Sequence, residues 1–302
     1  MFNGLHYNSI STVLKEQFGR KTVKISIDGG FTCPNRDGHC GFGGCSFCSD
    51  SGSGDFAGTI EEQLASIPAK WTEDGKQPAI IAYYQSHSNT YAPAAYLRKL
   101  WTDTISDPRI SGLAIATRPD CIDDEIAELL AEFSKKTYLW VELGLQTESE
   151  QTAENFGRGY KNAVFEDAMN KLSTRGIKCV VHLILGLPGE DKEQHLRTAE
   201  YVAGFKPFGI KIHMLHLVKN SLMGKDYIKH PWPVMDKDEY IGTVCDMLEL
   251  MPQSITVHRL TGDAPKDQLI APLWTSDKHA VLNGIQQEFK RRGSYQGIKA
   301  GL

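Results

Sequence analysis

The chain has 302 residues, 41% of them hydrophobic, and a net charge of −4 at neutral pH. That length and apolar content suffice for one large core with an appendage, and the acidic balance excludes a uniformly basic nucleic-acid binder while leaving room for a local patch. Seven cysteines, with Cys121, Cys179 and Cys245 scattered singly, exclude a disulfide framework, and no apolar run approaches the ~20 residues that span a bilayer, so a cytoplasmic protein without a membrane partner is expected.

Taken in order, a polar arm over residues 1–16 leads into a β-branched run at 23–27 and then into a loop, CPNRDGHCGFGGCSFC, at 33–48. Strand-like runs follow at 79–84, 113–116, 138–145, 178–185 and 210–217, each rich in β-branched or aromatic residues. Helix-like segments alternate with them at 60–71, 94–105, 123–133, 162–175 and 192–205. Asp123 is an expected N-cap, and Gly176 an expected stop after Arg175. Six βα repeats call for a parallel sheet with right-handed crossovers, either open and doubly wound or curved into a partial barrel. Beyond a Pro-rich step at 229–233 come a helix at 236–251, a strand at 254–260 and a helix at 277–292 that ends in a basic tail. The expected division is an arm at 1–16, a core at 17–235 and a C-terminal α/β extension at 236–302.

Four of the seven cysteines fall within the sixteen residues from Cys33 to Cys48, among glycines that let the loop curl so its thiolates converge. All four could close a tetrahedral zinc site. Alternatively, Cys33, Cys45 and Cys48 could hold three irons of a four-iron cluster and leave the fourth open to an exogenous ligand. The ending Cys45-Ser46-Phe47-Cys48 resembles the radical S-adenosylmethionine (SAM) superfamily, whose motif closes with Cys-x-aromatic-Cys. Eleven residues separate Cys33 from Cys45, a departure from the short first spacing usual there, and the whole string is similar to the YhcC/YtqA-type group related to the elongator catalytic subunit.

The resemblance implies a partial (βα)6 barrel, a 4Fe-4S cluster on Cys33, Cys45 and Cys48 with Cys40 as bystander, and SAM as the second cofactor. It implies roles for the strand ends as well. Gln85 would meet the methionine amino group, Glu142 the ribose, and Gln146 and Arg158 the methionine carboxylate and cluster edge. Thr117 belongs to the same set, and Leu187 in the Gly186-Leu187-Pro188-Gly189-Glu190 turn would pack beside the adenine. That turn also reads as an ordinary strand-to-helix connection. A one-electron donor such as flavodoxin or ferredoxin is the expected partner, with tRNA as a further one.

Independently of the resemblance, Glu142 alternates with Trp140 and Gly144 on one face of its strand, while Val141, Leu143 and Leu145 take the other. A carboxylate inside a buried strand costs several kcal/mol, by rough estimate, unless it is paired or binds something. His182, Lys211 and His213 repeat the pattern on the next two strands, so together they predict a polar cavity inside the sheet. The substrate expected from the resemblance is a tRNA wobble uridine whose carboxymethylaminomethyl group is remodelled towards aminomethyl. A small metabolite or peptide is the alternative substrate, and a non-catalytic zinc or iron–sulfur module the alternative class. The basic tail, Lys290 to Lys299, reads either as a solvated helix end or as a phosphate contact.

Overall fold

The computed structural model describes residues 2, 4–52, 54–71 and 77–301. Strands β1 (Thr22–Ile27), β2 (Ala79–Tyr84), β3 (Ile110–Thr117), β4 (Tyr138–Gln146), β5 (Lys178–Leu185) and β6 (Gly209–Met214) pair in sequence order, all parallel. A short β7 (Leu217–Val218) follows, and β8 (Thr256–Arg259) adds a seventh parallel strand beside β6, while β9 (Leu269–Ala271) pairs antiparallel with β7. The C-terminal strand expected within the extension therefore continues the main sheet.

The sheet is strongly curled. Lys24 Nζ on β1 lies 3.9 Å from Glu142 on β4, and Lys211 Nζ on β6 donates to the Tyr83 hydroxyl on β2 at 3.1 Å. In a flat sheet those strands would stand roughly 14 and 19 Å apart. The result is the expected partial barrel, with one strand more.

Alternation along each strand sorts the two faces. Ile25, Ile80, Ala82, Leu113, Ile115, Val141, Leu143 and Val181 point outward into a core shared with the helices. Among these helices, α1 (Ile10–Phe18) differs in position. Its Leu14 packs with Ile81, Tyr83, Ala114, Trp140 and Val180, the inward residues at the N-terminal end of the barrel, so the helix forms a floor. The segment before it is anchored to β8, because Val257 N donates to Asn8 O at 2.7 Å.

The predicted helix at 60–71 is broken in the structure. Helix α2 (Ile60–Ala65) stops before Pro68, and a 3-10 turn covers Ala69–Trp71, since proline disfavours the helical conformation of the residue before it. Helices α3 (Ala94–Ser106) and α4 (Asp124–Lys136) follow, and Asp123 caps α4 by accepting from Ile126 N. A short α5 (Glu150–Asn155) lies between β4 and α6 (Asn162–Thr174), and α7 (Lys192–Gly204) follows β5. Helix α8 (Leu222–Lys229) occupies the stretch before the Pro-rich step. Helices α9 (Lys237–Leu250) and α10 (Lys278–Arg292) pack outside β8. Among the described residues no helix is long and apolar enough to cross a membrane.

Candidate active site at the strand ends

The inward faces and the C-terminal strand ends enclose a cavity of about 660 Å³ that runs from the cysteine loop to the polar interior. Parallel barrels place their chemistry at this end, and the volume is ample for a nucleoside-sized ligand. Cys33, Cys45 and Cys48 all line it. Cys40 is exposed on the far side of the loop, with its sulfur 3.9 Å from Asp120 Oδ2 and from Arg118 Nη2.

The loop holds this shape through its backbone. Cys48 N donates to Cys45 O at 2.9 Å, Gly44 N to Asn35 O at 2.8 Å and Ser46 N to Phe156 O at 2.8 Å. Gly43 and Gly44 take φ of 80° and 85°, a left-handed pair that other residues enter only with strain. Asn35 Nδ2 reaches Cys45 Sγ at 3.6 Å and Gly157 O at 2.6 Å. The Cys48 thiol, donating to Cys45, brings the Cys45 thiol down to about 7 against the opposing effect of burial, with Arg118 and Asn35 assisting. The same hydrogen bond, with burial, pushes the Cys48 thiol well above its ordinary value, so the pair gives up its first proton more readily than its second. With Cys33, Cys45 and Cys48 on the cavity wall and Cys40 exposed outside it, the loop suits a cluster on three thiols better than a zinc knuckle on four.

The other residues singled out from the sequence divide into those that face the cavity and those that support it. Gln85 faces it, its Oε1 accepting from Ser26 Oγ at 2.9 Å. Thr117 lines it too, but its hydroxyl lies 2.6 Å from that of Thr90. Gln146 sits at an irregularity in the β4–β5 ladder with φ of 68°, and its buried Oε1 has no protein partner. An unpartnered buried acceptor on a cavity wall is a group waiting for a ligand's donor.

Arg158 borders the cavity, yet its donors go to the protein. Nη1 donates to Leu145 O at 3.1 Å and Thr147 O at 3.0 Å, Nη2 to Asn162 Oδ1 at 2.7 Å, and Nε to Tyr160 O at 3.1 Å. Leu187 does not line the cavity. It is buried with Ala153, Phe156, Leu215 and Met223 in a separate apolar cluster, while Leu215 takes a place on the cavity wall. Glu190 of the same turn accepts from Thr147 Oγ1, so the turn braces the end of β4.

Glu142 is the hub of the interior. It is 1% exposed; Oε1 accepts from Trp140 Nε1 at 2.8 Å, and Oε2 lies 2.7 Å from His182 Nε2 and also pairs with Lys211. Burial alone would raise its pKa, but Lys211, Lys24 and His182 outweigh it and hold the carboxyl well below the usual range. Burial lowers Lys211 against the pull of Glu142, and pushes Tyr83 well up. Burial, reinforced by nearby Lys211 or Arg259, takes His182 and His216 down to about 4 and His213 well below its ordinary value. These imidazoles are therefore neutral at physiological pH, and His213 Nε2 is buried without a partner.

Sequence reasoning passed over Asn35, Lys24 and Tyr83. Lys24 and Ser26 share the inward face of β1 by simple alternation with Val23, Ile25 and Ile27, a signal that could have found the lysine. Nothing in the sequence points to Tyr83, which is brought near Lys211 only by the curl of the sheet.

Comparison with known proteins agrees with this geometry. Residues 36–202 match the Radical SAM superfamily and residues 207–291 a Radical_SAM C-terminal domain. The chain is 44% identical to protein YtqA of Bacillus subtilis, covering 96% of this chain and 92% of that one, and 36% identical to protein YhcC of Escherichia coli K12, covering 95% and 93%. It is also 25% identical to a tRNA uridine(34) acetyltransferase of Dehalococcoides mccartyi over 61% of this chain and 39% of that protein. Among solved structures, an N-terminally truncated Elp3 of Methanocaldococcus infernus superposes with a TM-score of 0.68 at 16% identity, covering 91% of this chain and 64% of that chain, a likeness of fold. Three thiols on a cavity wall, an open polar barrel behind them and a superfamily match across more than half the chain leave one assignment: the chain belongs to the radical SAM superfamily, whose members use a 4Fe-4S cluster and SAM.

Proposed function

We propose that this radical SAM enzyme remodels the side chain of a tRNA wobble uridine, taking a carboxymethylaminomethyl group towards aminomethyl. The observation that carries the reading is one continuous cavity joining Cys33, Cys45 and Cys48 to the polar interior around Glu142. The likeness to a protein named tRNA uridine(34) acetyltransferase supports the substrate. When bound, the cluster and SAM supply a carbon-centred radical able to take hydrogen from an unactivated carbon.

The chain's own residues bind, orient and exclude water. Cys33, Cys45 and Cys48 hold the iron, and Asn35 steadies the Cys45 sulfur. Gln85 and Gln146 present amides to SAM, with Thr117 beside them on the wall. Phe47, Ile184, Met214 and Leu215 give the cavity an apolar side, and α1 closes the barrel beneath. Reductant enters as single electrons from a flavodoxin- or ferredoxin-type donor.

A second reading has one observation in its favour. The basic tail is largely paired within the protein: Arg291 with Glu288, Arg292 with Asp246 and Glu288, and Lys299 with Glu249. A tail so occupied is poorly placed to grip phosphates, which favours a small metabolite or peptide. Comparison of modified nucleosides in tRNA from a deletion strain and its parent decides between them. Accumulation of the carboxymethylaminomethyl nucleoside supports the tRNA reading, and an unchanged wobble uridine overturns it.

A further inference from the structure

The cavity carries more positive charge than its own carboxylates balance. Among the described residues Lys24, Arg36, Arg118, Arg158, Lys211 and Arg259 line it, against Asp55, Glu142 and Asp263, with Arg118 neutralised from outside the lining by Asp120. In the interior each carboxylate is shared. Glu142 serves Lys211 and Lys24, while Asp263 serves Arg259 and Lys278. The cofactors would add charge of both signs at the cysteine end of the cavity, a sulfonium and a carboxylate from the nucleoside beside the thiolate-held cluster, whereas Lys24 stands at the Glu142 end.

Lys24 is held only loosely by its carboxylate. Its Nζ stands 3.9 Å from Glu142 Oε1, an oxygen that already accepts the Trp140 indole N–H at 2.8 Å, and Oε2 is occupied by His182 and Lys211. The ammonium rests 4.2 Å from the centre of the Tyr83 ring, and because Lys24 lines the cavity an entering ligand can reach it. An ammonium that faces a cavity with its nearest carboxylate already engaged is a site for a further anion.

We propose that Lys24 is a specificity-determining residue that receives a carboxylate of the substrate, so the barrel interior selects a small carboxylate over its neutral or cationic congener. For the identity of the nucleoside this rests on the wobble-uridine reading. There, the carboxylate is the group that separates the carboxymethylaminomethyl substrate from its aminomethyl product. The same lysine repels the cationic product and so favours its release.

Equilibrium dialysis of the cluster- and SAM-loaded enzyme against 5-carboxymethylaminomethyluridine and 5-aminomethyluridine tests this. The wild type should bind the carboxylate nucleoside roughly ten- to a hundredfold more tightly. Lys24→Met keeps the stem over Tyr83 and should lose that preference, whereas Lys24→Arg should retain most of it. Preference undiminished in Lys24→Met, or equal binding of both nucleosides by the wild type, overturns the proposal while leaving the wobble-uridine reading intact. Malonate and malonamide serve as a second pair of probes. Malonate bound by the wild type but not by Lys24→Met, with neither nucleoside bound, sustains the anion site, and the tRNA nucleoside comparison then decides the wobble-uridine reading. Failure of malonate and both nucleosides to bind overturns the anion site.

Discussion

The guanidinium of Arg158 straddles Gln146, donating to the carbonyls of Leu145 and Thr147 on either side of it. Gln146 holds φ of 68°, a conformation that costs a non-glycine residue of order 1–3 kcal/mol and persists only where its surroundings enforce it. Thr147 is fixed from the other direction by Glu190. Arg158 therefore acts on the site through Gln146 and is a positioning residue. Arg158→Lys cannot reproduce the fork, and it should lower stability by about 1–3 kcal/mol and weaken SAM binding without loss of iron. Denaturant unfolding, iron analysis and SAM affinity measured together check this. Unchanged SAM affinity would restrict Arg158 to a purely structural role.

Gly144 provides a finer probe of the same amide. A Cβ there would stand 2.5 Å from Gln146 Nε2, too close to coexist with the present side-chain position. Gly144→Ala should displace the amide and reduce SAM affinity about tenfold with the fold and iron content kept. Circular dichroism with SAM titration tests it, and wild-type affinity in the variant would remove Gln146 from the SAM contacts.

The buried histidines make stability depend on pH in a defined window. His182 and His216 have folded values of about 4 against 6.5 for the free side chain, so the unfolded chain binds protons that the folded one resists. Their contribution is full above pH 6.5 and is lost as pH falls towards 4, up to about 3 kcal/mol for each. Glu142, held below 4.5, acts in the same direction lower down: its contribution is present above 4.5 and is lost on further acidification. Urea unfolding of His216→Asn should show a shallower decline between pH 6.5 and 4 than the wild type. Parallel curves would contradict the assignment.

Much of the site was legible in the sequence because it obeys local rules. The family resemblance carried by the string at 33–48 sets Cys40 apart from the other three thiols, and alternation places Glu142, His182, Lys211 and His213 inward. What could not be read was pairing across the barrel. The resemblance gives Glu142 to the ribose, and its burial calls for a partner without saying which; the curl of the sheet brings His182 and Lys211 to its oxygens, so a contact with SAM would have to share a carboxylate already engaged. Leu187 was assigned to the adenine from its turn, and tertiary packing sends it to the apolar cluster around Phe156. The seventh strand was recognised as a strand, yet its place beside β6 depends on a connection through α9 that no local pattern encodes.

The most direct measurement is the product analysis of anaerobically reconstituted enzyme given SAM and dithionite, for the wild type and each single cysteine variant. The account predicts 5′-deoxyadenosine and methionine from the wild type and from Cys40→Ala, and neither product nor a full complement of iron from Cys33→Ala, Cys45→Ala or Cys48→Ala. Iron loss in Cys40→Ala, or intact SAM after incubation with fully loaded wild-type protein, would contradict it.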